Sequence, residues 1–354
     1  MASLDEARAD IRTGEELPHE ALQNYLDAHF NERQNLEIRQ FPGGHSNLTY
    51  LIRYGEREMV LRKPPGGAEH IKGGHDMRRE FNVLSRLKPY YERVPQPILF
   101  CDDPLVIGTD FYLMERVRGI VIRSQKPEGV ALTTAFMRHL SETFIDNFVQ
   151  LQRVDVYQSG LIEIGKPEGY VLRQIEGSYK RFQNVMIDPI PEVEKVVEWL
   201  KAHLPDEKAV SIIHNDYKFD NVIYQTDFSQ VLAVLDWEMA TVGNPLMDLG
   251  MVLGYWVEPG EPNMLNTFAT SEPGAFSRRE VVEYYEEKSK RKVKDPVFYF
   301  VCACLKNGVV AQQLYYRYAK GFTKDERLGK IGPFVRSYFQ YALEVIKAGR
   351  ISNL

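Results

Sequence analysis

The chain of 354 residues carries a formal net charge of −5, with 26% charged and 44% hydrophobic residues. That balance is ordinary for a globular protein of two domains and offers no basic surface for nucleic acid. No apolar run approaches bilayer-spanning length, the N-terminus lacks a signal-peptide pattern, and three cysteines are too few for a disulfide framework. The expectation is a cytoplasmic protein without membrane or nucleic-acid partners, with buried free thiols and an open oligomeric state.

Residues 1–35 read as an N-terminal helical extension. Strand signals follow at 36–41, 49–54 and 58–62. Between the first two lies Phe41-Pro42-Gly43-Gly44-His45-Ser46-Asn47. Glycines at a hairpin tip let backbone N–H groups come close to phosphates, so Gly43, Gly44, Ser46 and Asn47 are candidate nucleotide contacts. The next strand has to stop before Pro64-Pro65. Arg62, two residues after Val60, is the aligned phosphate-binding cation and can grip phosphate as a fork; Lys63, facing the other way, is the alternative. A helix over 76–87 places Glu80 on the same face as the apolar stripe Met77, Phe81, Leu84 and Leu87. A carboxylate on a buried stripe requires a counter-charge, which Arg62 would supply. Strands at 97–101 and 111–116 then lead into a connector. There the backbone amides of Glu115 to Val117 are placed to meet an adenine edge, with Met114 packing beside it.

Past this point the pattern turns helical, at 133–153, 169–183, 191–202, 278–290, 295–318 and 333–348. Short strand signals at 210–213, 222–224 and 231–235 frame His214-Asn215-Asp216-Tyr217-Lys218-Phe219-Asp220-Asn221 and then Asp236-Trp237-Glu238. Kinase catalytic loops need this order of groups: a carboxylate for the proton of the attacking hydroxyl, an amide oxygen and a second carboxylate for the metal. Asp216 is the candidate base. Asn221 and Asp236 are candidate ligands of Mg²⁺, which prefers such oxygens. The expected fold is α+β and protein-kinase-like, two-lobed, with a small β-rich N-lobe over 36–117 and a larger helical C-lobe over 118–354.

Together the segments resemble the aminoglycoside phosphotransferase/choline kinase family, and more narrowly the kinase domain fused to some acyl-CoA dehydrogenases. The resemblance is carried by Gly43 to Tyr50, Val60 to Gly66, Arg79 to Leu84, Tyr112 to Gly119, the catalytic pair of motifs, and Gly243-Asn244-Pro245-Leu246-Met247-Asp248-Leu249-Gly250. It implies ATP-dependent transfer of the γ-phosphate to a hydroxyl of a small-molecule metabolite, with ATP and Mg²⁺ bound. It also implies Lys218 reaching the transferred phosphate, His214 bracing the loop, Asp248 fixing that loop through its backbone, and Glu238 in reach of a second metal. Arg62 departs from the family's more usual lysine, and Asp236-Trp237-Glu238 lacks the Phe-Gly of regulated protein kinases. Tyr255, Trp256, Gln313, Tyr316 and Arg317 are candidates for the acceptor site. Two other readings stay open: a nucleotide-binding pseudokinase-like scaffold and a metal-dependent hydrolase.

Overall fold

The computed structural model describes residues 7, 10–41, 47–65, 76–123, 126–127, 129–206, 208–261 and 269–352. In chain order, the first elements are α1 His19–Phe30, β1 Leu36–Gln40, β2 Leu48–Tyr54, β3 Arg57–Lys63 and α2 Met77–Leu87. They are followed by β4 Pro97–Cys101, α3 Pro104–Ile107, β5 Phe111–Glu115 and β6 Ile120–Val121. Next come α4 Thr134–Gln152, α5 Tyr170–Val185, α6 Glu192–Ala202, β7 Ser211–Ile213, β8 Val222–Tyr224, β9 Val231–Val234 and β10 Thr241–Gly243. The chain finishes with α7 Pro245–Tyr255, α8 Arg278–Ser289, α9 Pro296–Ala319, α10 Glu326–Gly329 and α11 Gly332–Ala348. Antiparallel sheets segregated from a run of helices make this an α+β fold.

The chain divides into two compact units. The sheet unit takes in the described residues of 1–121, 158–164 and 220–240. Its main sheet is antiparallel in the order β1-β2-β3-β5-β4, and a smaller sheet runs β6-β8-β9. Leu22 and Leu26 of α1 join Tyr50, Ile52, Leu61, Leu99 and Leu113 in the core against the main sheet. Strand β3 lies at the centre of that sheet, between β2 and β5, so both of its faces are covered and Met59, Val60, Leu61 and Arg62 are all buried. Central strands read as continuous apolar runs for this reason. Helix α2 starts at the Asp76 cap, whose side chain accepts the Arg79 N–H, and buries Met77, Glu80, Val83, Leu84 and Leu87.

The helical unit takes in the described residues of 122–157, 165–219 and 241–354. Its small sheet pairs β7 with β10, Ile213 opposite Thr241. Helix α9 is the central element. By length and composition it is apolar enough to cross a bilayer, contrary to the sequence expectation, yet 72% of that apolar window is buried inside the protein. Its apolar character is what a largely buried core helix requires. Glycine at 250 lets α7 lie close against it: a Cβ there would stand 2.4 Å from the Tyr299 carbonyl oxygen. Cys302 and Cys304 on α9, like Cys101, are buried free thiols, and burial pushes the Cys304 thiol up to about 12.

Candidate active site

In the sheet unit the site is organised by Arg62. Its guanidinium lies 2.9 Å from Glu80 Oε1 and 3.0 Å from Asp236 Oδ1. Burial opposes the charge on Arg62, but the Glu80 carboxylate overcomes it and holds the pKa above the ordinary arginine value. Burial likewise lifts Glu80, pushed up to about 7, with Asp236 and Glu238 adding to the rise and Arg62 pulling it back. Glu80 Oε1 also accepts the Trp237 N–H at 3.2 Å, so one carboxylate ties α2 to β3 and to the segment after β9. Lys63, the last residue of β3, is only half-buried, and that burial lowers its pKa.

Register brings the candidate metal ligands to one end of the β8–β9 hairpin. Val222 pairs with Val234, and the Leu235 N–H donates to the Asn221 carbonyl at 2.8 Å, so Asn221 and Asp236 both emerge at that end. Asp236 takes up the left-handed region at φ 66 and its side chain does not cap the turn that follows. Such backbone is costly for a residue with a Cβ and persists where surrounding contacts over-determine it. Glu238 sits in the next turn and accepts the Asn47 side-chain amide at 2.9 Å; Asn47 itself is buried at the start of β2. Gly43, Gly44 and Ser46 lie outside the described residues.

The donors here are carboxylate and amide oxygens, and Glu80 is set among further carboxylates with Arg62 as their cation. A hard divalent cation such as Mg²⁺ fits that set. Among the described residues no three His, Cys, Asp or Glu side chains cluster as a ligand set. A hydrolytic metal centre needs such a cluster; Mg²⁺ shared with phosphates and water needs only one or two protein oxygens. In the connector, Met114 is buried opposite Val60, and Val117 packs beside Val121, Ile223 and Ala233. The Glu115 N–H donates to the Gln96 carbonyl at 2.8 Å. That amide, expected to meet adenine, is therefore already used within the sheet unit.

In the helical unit the loop after β7 is clamped from several sides. The Asp248 carboxylate, on the first turn of α7, accepts the His214 and Asn215 N–H groups, both at 2.8 Å. Burial raises the Asp248 pKa, and its contacts with His214 and Asn215 pull it back. Asn215 is left-handed at φ 68, which Asn tolerates better than most residues. Lys306 of α9 donates to the Asn215 carbonyl at 3.0 Å and to its Oδ1 at 3.1 Å. Buried His214 accepts the Asp216 N–H on Nδ1 at 3.2 Å. Asp216 then has Oδ2 at 3.1 Å from Lys218 Nζ and Oδ1 at 2.7 Å from the Tyr255 hydroxyl.

Of the acceptor-site candidates, Trp256 is a core residue whose indole N–H donates to the Phe276 carbonyl, Arg317 is exposed, and Gln313 and Tyr316 are half-buried. Tyr255 instead reaches the carboxylate of Asp216. Sequence reasoning missed Lys306 altogether, although a lone lysine in the apolar run from Val297 to Val310 was a signal for it. Beside Lys306 the lining of Tyr170, Gln174, Ser178 and Asn215 encloses about 20 Å³, room for a water molecule rather than an acceptor.

A carboxylate held by a clamped loop, and an arginine bridging a helix carboxylate to an acid after a hairpin, are features of kinase-type phosphotransferases with a protein-kinase-like fold. The model described as the phosphotransferase enzyme family matches residues 37–281, and the chain belongs to that family. It is 32% identical over 327 residues to human acyl-CoA dehydrogenase family member 11, covering 90% of this chain and 42% of that protein. Mouse acyl-CoA dehydrogenase family member 10 is 29% identical over 345 residues, covering 94% of this chain and 31% of that protein. The chain thus spans less than half the length of these relatives. A crystal structure from Ralstonia eutropha JMP134, provisionally named an aminoglycoside phosphotransferase, superposes with a TM-score of 0.80 at 28% identity, covering 94% of this chain and 99% of that one. A spectinomycin phosphotransferase in complex with ADP and spectinomycin gives 0.60 at 14% identity, covering 94% and 98%, a likeness of fold alone.

Proposed function

We propose that the chain transfers the γ-phosphate of ATP to a hydroxyl of a small-molecule metabolite. The observation that carries this reading is the bridge Glu80–Arg62–Asp236, which puts a buried cation between a helix carboxylate and the acid after β9. Kinases use such an ion pair to align nucleotide phosphates with the metal-binding acid. In this reading Asp216 takes the proton from the acceptor hydroxyl and Lys218 offsets charge on the transferred group. Asn221 and Asp236 hold Mg²⁺, with Glu238 in reach of a second ion; bound there, the metal would neutralise charge developing on the phosphates. Arg62 is the phosphate-facing cation and Lys63 the bystander. The resemblance to folds crystallised with ADP and spectinomycin, or with AMP-PNP and hygromycin B, supports a nucleotide and a small hydroxylated acceptor. The test is MgATP consumption across a panel of hydroxylated metabolites, with ³¹P NMR of the product. A new phosphate-ester resonance with one acceptor is the expected result. Release of inorganic phosphate alone with every compound would overturn the small-molecule assignment.

A further inference from the structure

Helix α7 touches the candidate base twice. Its first turn contributes Asp248, which holds the backbone of the loop, and its last residue, Tyr255, reaches the side chain of Asp216. The Tyr255 hydroxyl donates to Asp216 Oδ1 at 2.7 Å, and the ammonium of Lys218 lies 5.4 Å from the centre of the Tyr255 ring. Lys218 meets the other oxygen, Oδ2, at 3.1 Å. The two carboxylate oxygens are thereby made different: one is taken by a half-buried phenol, the other is turned toward the cation. Burial and the adjacent carboxylate hold the phenolic proton on Tyr255 well above the ordinary tyrosine range, so the ring acts as a donor at working pH.

We propose that Tyr255 is a positioning residue of the transfer, fixing the plane of the Asp216 carboxylate and the seat of Lys218 so that Oδ2 is the oxygen that receives the acceptor's proton. The inference rests on Asp216 being the base. As the acceptor oxygen bonds to the γ-phosphorus, its proton passes to Oδ2; the bond from phosphorus to the bridging oxygen breaks and its electron pair leaves with ADP. Tyr255 itself gains and loses nothing. A carboxylate free to rotate would spend part of its time with neither oxygen aligned, which lowers the rate of the step without weakening nucleotide binding.

Because the acceptor is not identified, water serves as the probe: phosphate release from MgATP is followed in the full chain. Tyr255→Phe is expected to lower kcat roughly ten- to hundredfold, as loss of a hydrogen bond to a charged group would, with KM for MgATP and the melting temperature unchanged. Asp216→Asn is expected to lower kcat about 10²–10⁴-fold. Adding Tyr255→Phe to Asp216→Asn should cost little more, since the phenol acts only through that carboxylate. Introducing p-aminophenylalanine at position 255, which keeps the ring and a donor, should restore most of the lost kcat, and this arm remains readable should the Phe variant lose stability. A wild-type rate in Tyr255→Phe, a full further loss in the Asp216→Asn background, or failure of the amino variant to recover would each overturn the role of Tyr255. Undiminished turnover in Asp216→Asn would instead remove the base assignment, and this inference with it.

Discussion

Arg62 shows how much one side chain can decide. Adjacent residues of a strand face opposite ways, so Arg62 and Lys63 cannot both serve the same site without a bulge. Arg62 is 7% exposed and bound to two carboxylates, while Lys63 stands at the strand's end, half-buried. Arg62→Ala would leave Glu80, 1% exposed, a buried carboxyl group without the cation that favours its charged form. Breaking such a pair costs about 3–5 kcal/mol, so the variant should unfold at clearly lower denaturant and lose MgATP affinity. Lys63→Ala should change both little. An Arg62/Glu80 double-mutant cycle in denaturant melts should show coupling. Strong loss of MgATP binding from Lys63→Ala beside a silent Arg62→Ala, measured by calorimetry, would move the phosphate contact to Lys63.

At the scale of elements, α7 and α9 together determine the shape of the loop that carries Asp216. Helix α7 supplies Asp248 and Tyr255, and α9 supplies Lys306. Their close approach depends on Gly250, where even a methyl group would meet the Tyr299 backbone carbonyl at 2.4 Å. A backbone atom cannot swing aside as a side-chain end can. Gly250→Ala should therefore lower stability by about 1–3 kcal/mol through overpacking, and its effect on turnover should exceed its effect on KM for MgATP. A melting temperature equal to that of the wild type would show that the two helices separate at no cost.

For the molecule as a whole, Lys306 links stability to pH. Burial lowers its pKa from 10.5 to about 8; Asp216 and Asp248 work to raise it, and Arg181 and Lys218 to lower it. The folded state therefore binds this proton less tightly than the unfolded state. Between about pH 8 and 10.5 the unfolded chain holds more of the proton, so the contribution of Lys306 to stability rises with pH through that window and is flat below it. Lys306→Met removes the group. The melting temperature of the wild type relative to that variant should climb as pH goes from 7.5 towards 10. Parallel curves across the window would show that Lys306 is not desolvated in the folded protein.

What the sequence by itself determined is local in origin. The helix over 76–87 begins at its Asp76 cap, the strands carry their own apolar pattern, and the order of Asp216, Asn221 and Asp236 is written directly in the chain. The expected strand at 58–62 and helix at 133–153 differ from β3 and α4 only by a residue or so at their ends. Periodicity reports which face of an element is buried; it does not report what lies against that face. Only the tertiary structure decided that Arg62 meets Asp236 as well as Glu80, that Asn47 reaches Glu238, and that the Glu115 amide is already used by Gln96. The same holds for Tyr255, which the sequence offered as an acceptor contact and the packing of α7 turned onto Asp216. Those partners stand about twenty to nearly two hundred residues apart in the chain, and they meet because the helices and strands carrying them pack to bury their apolar faces.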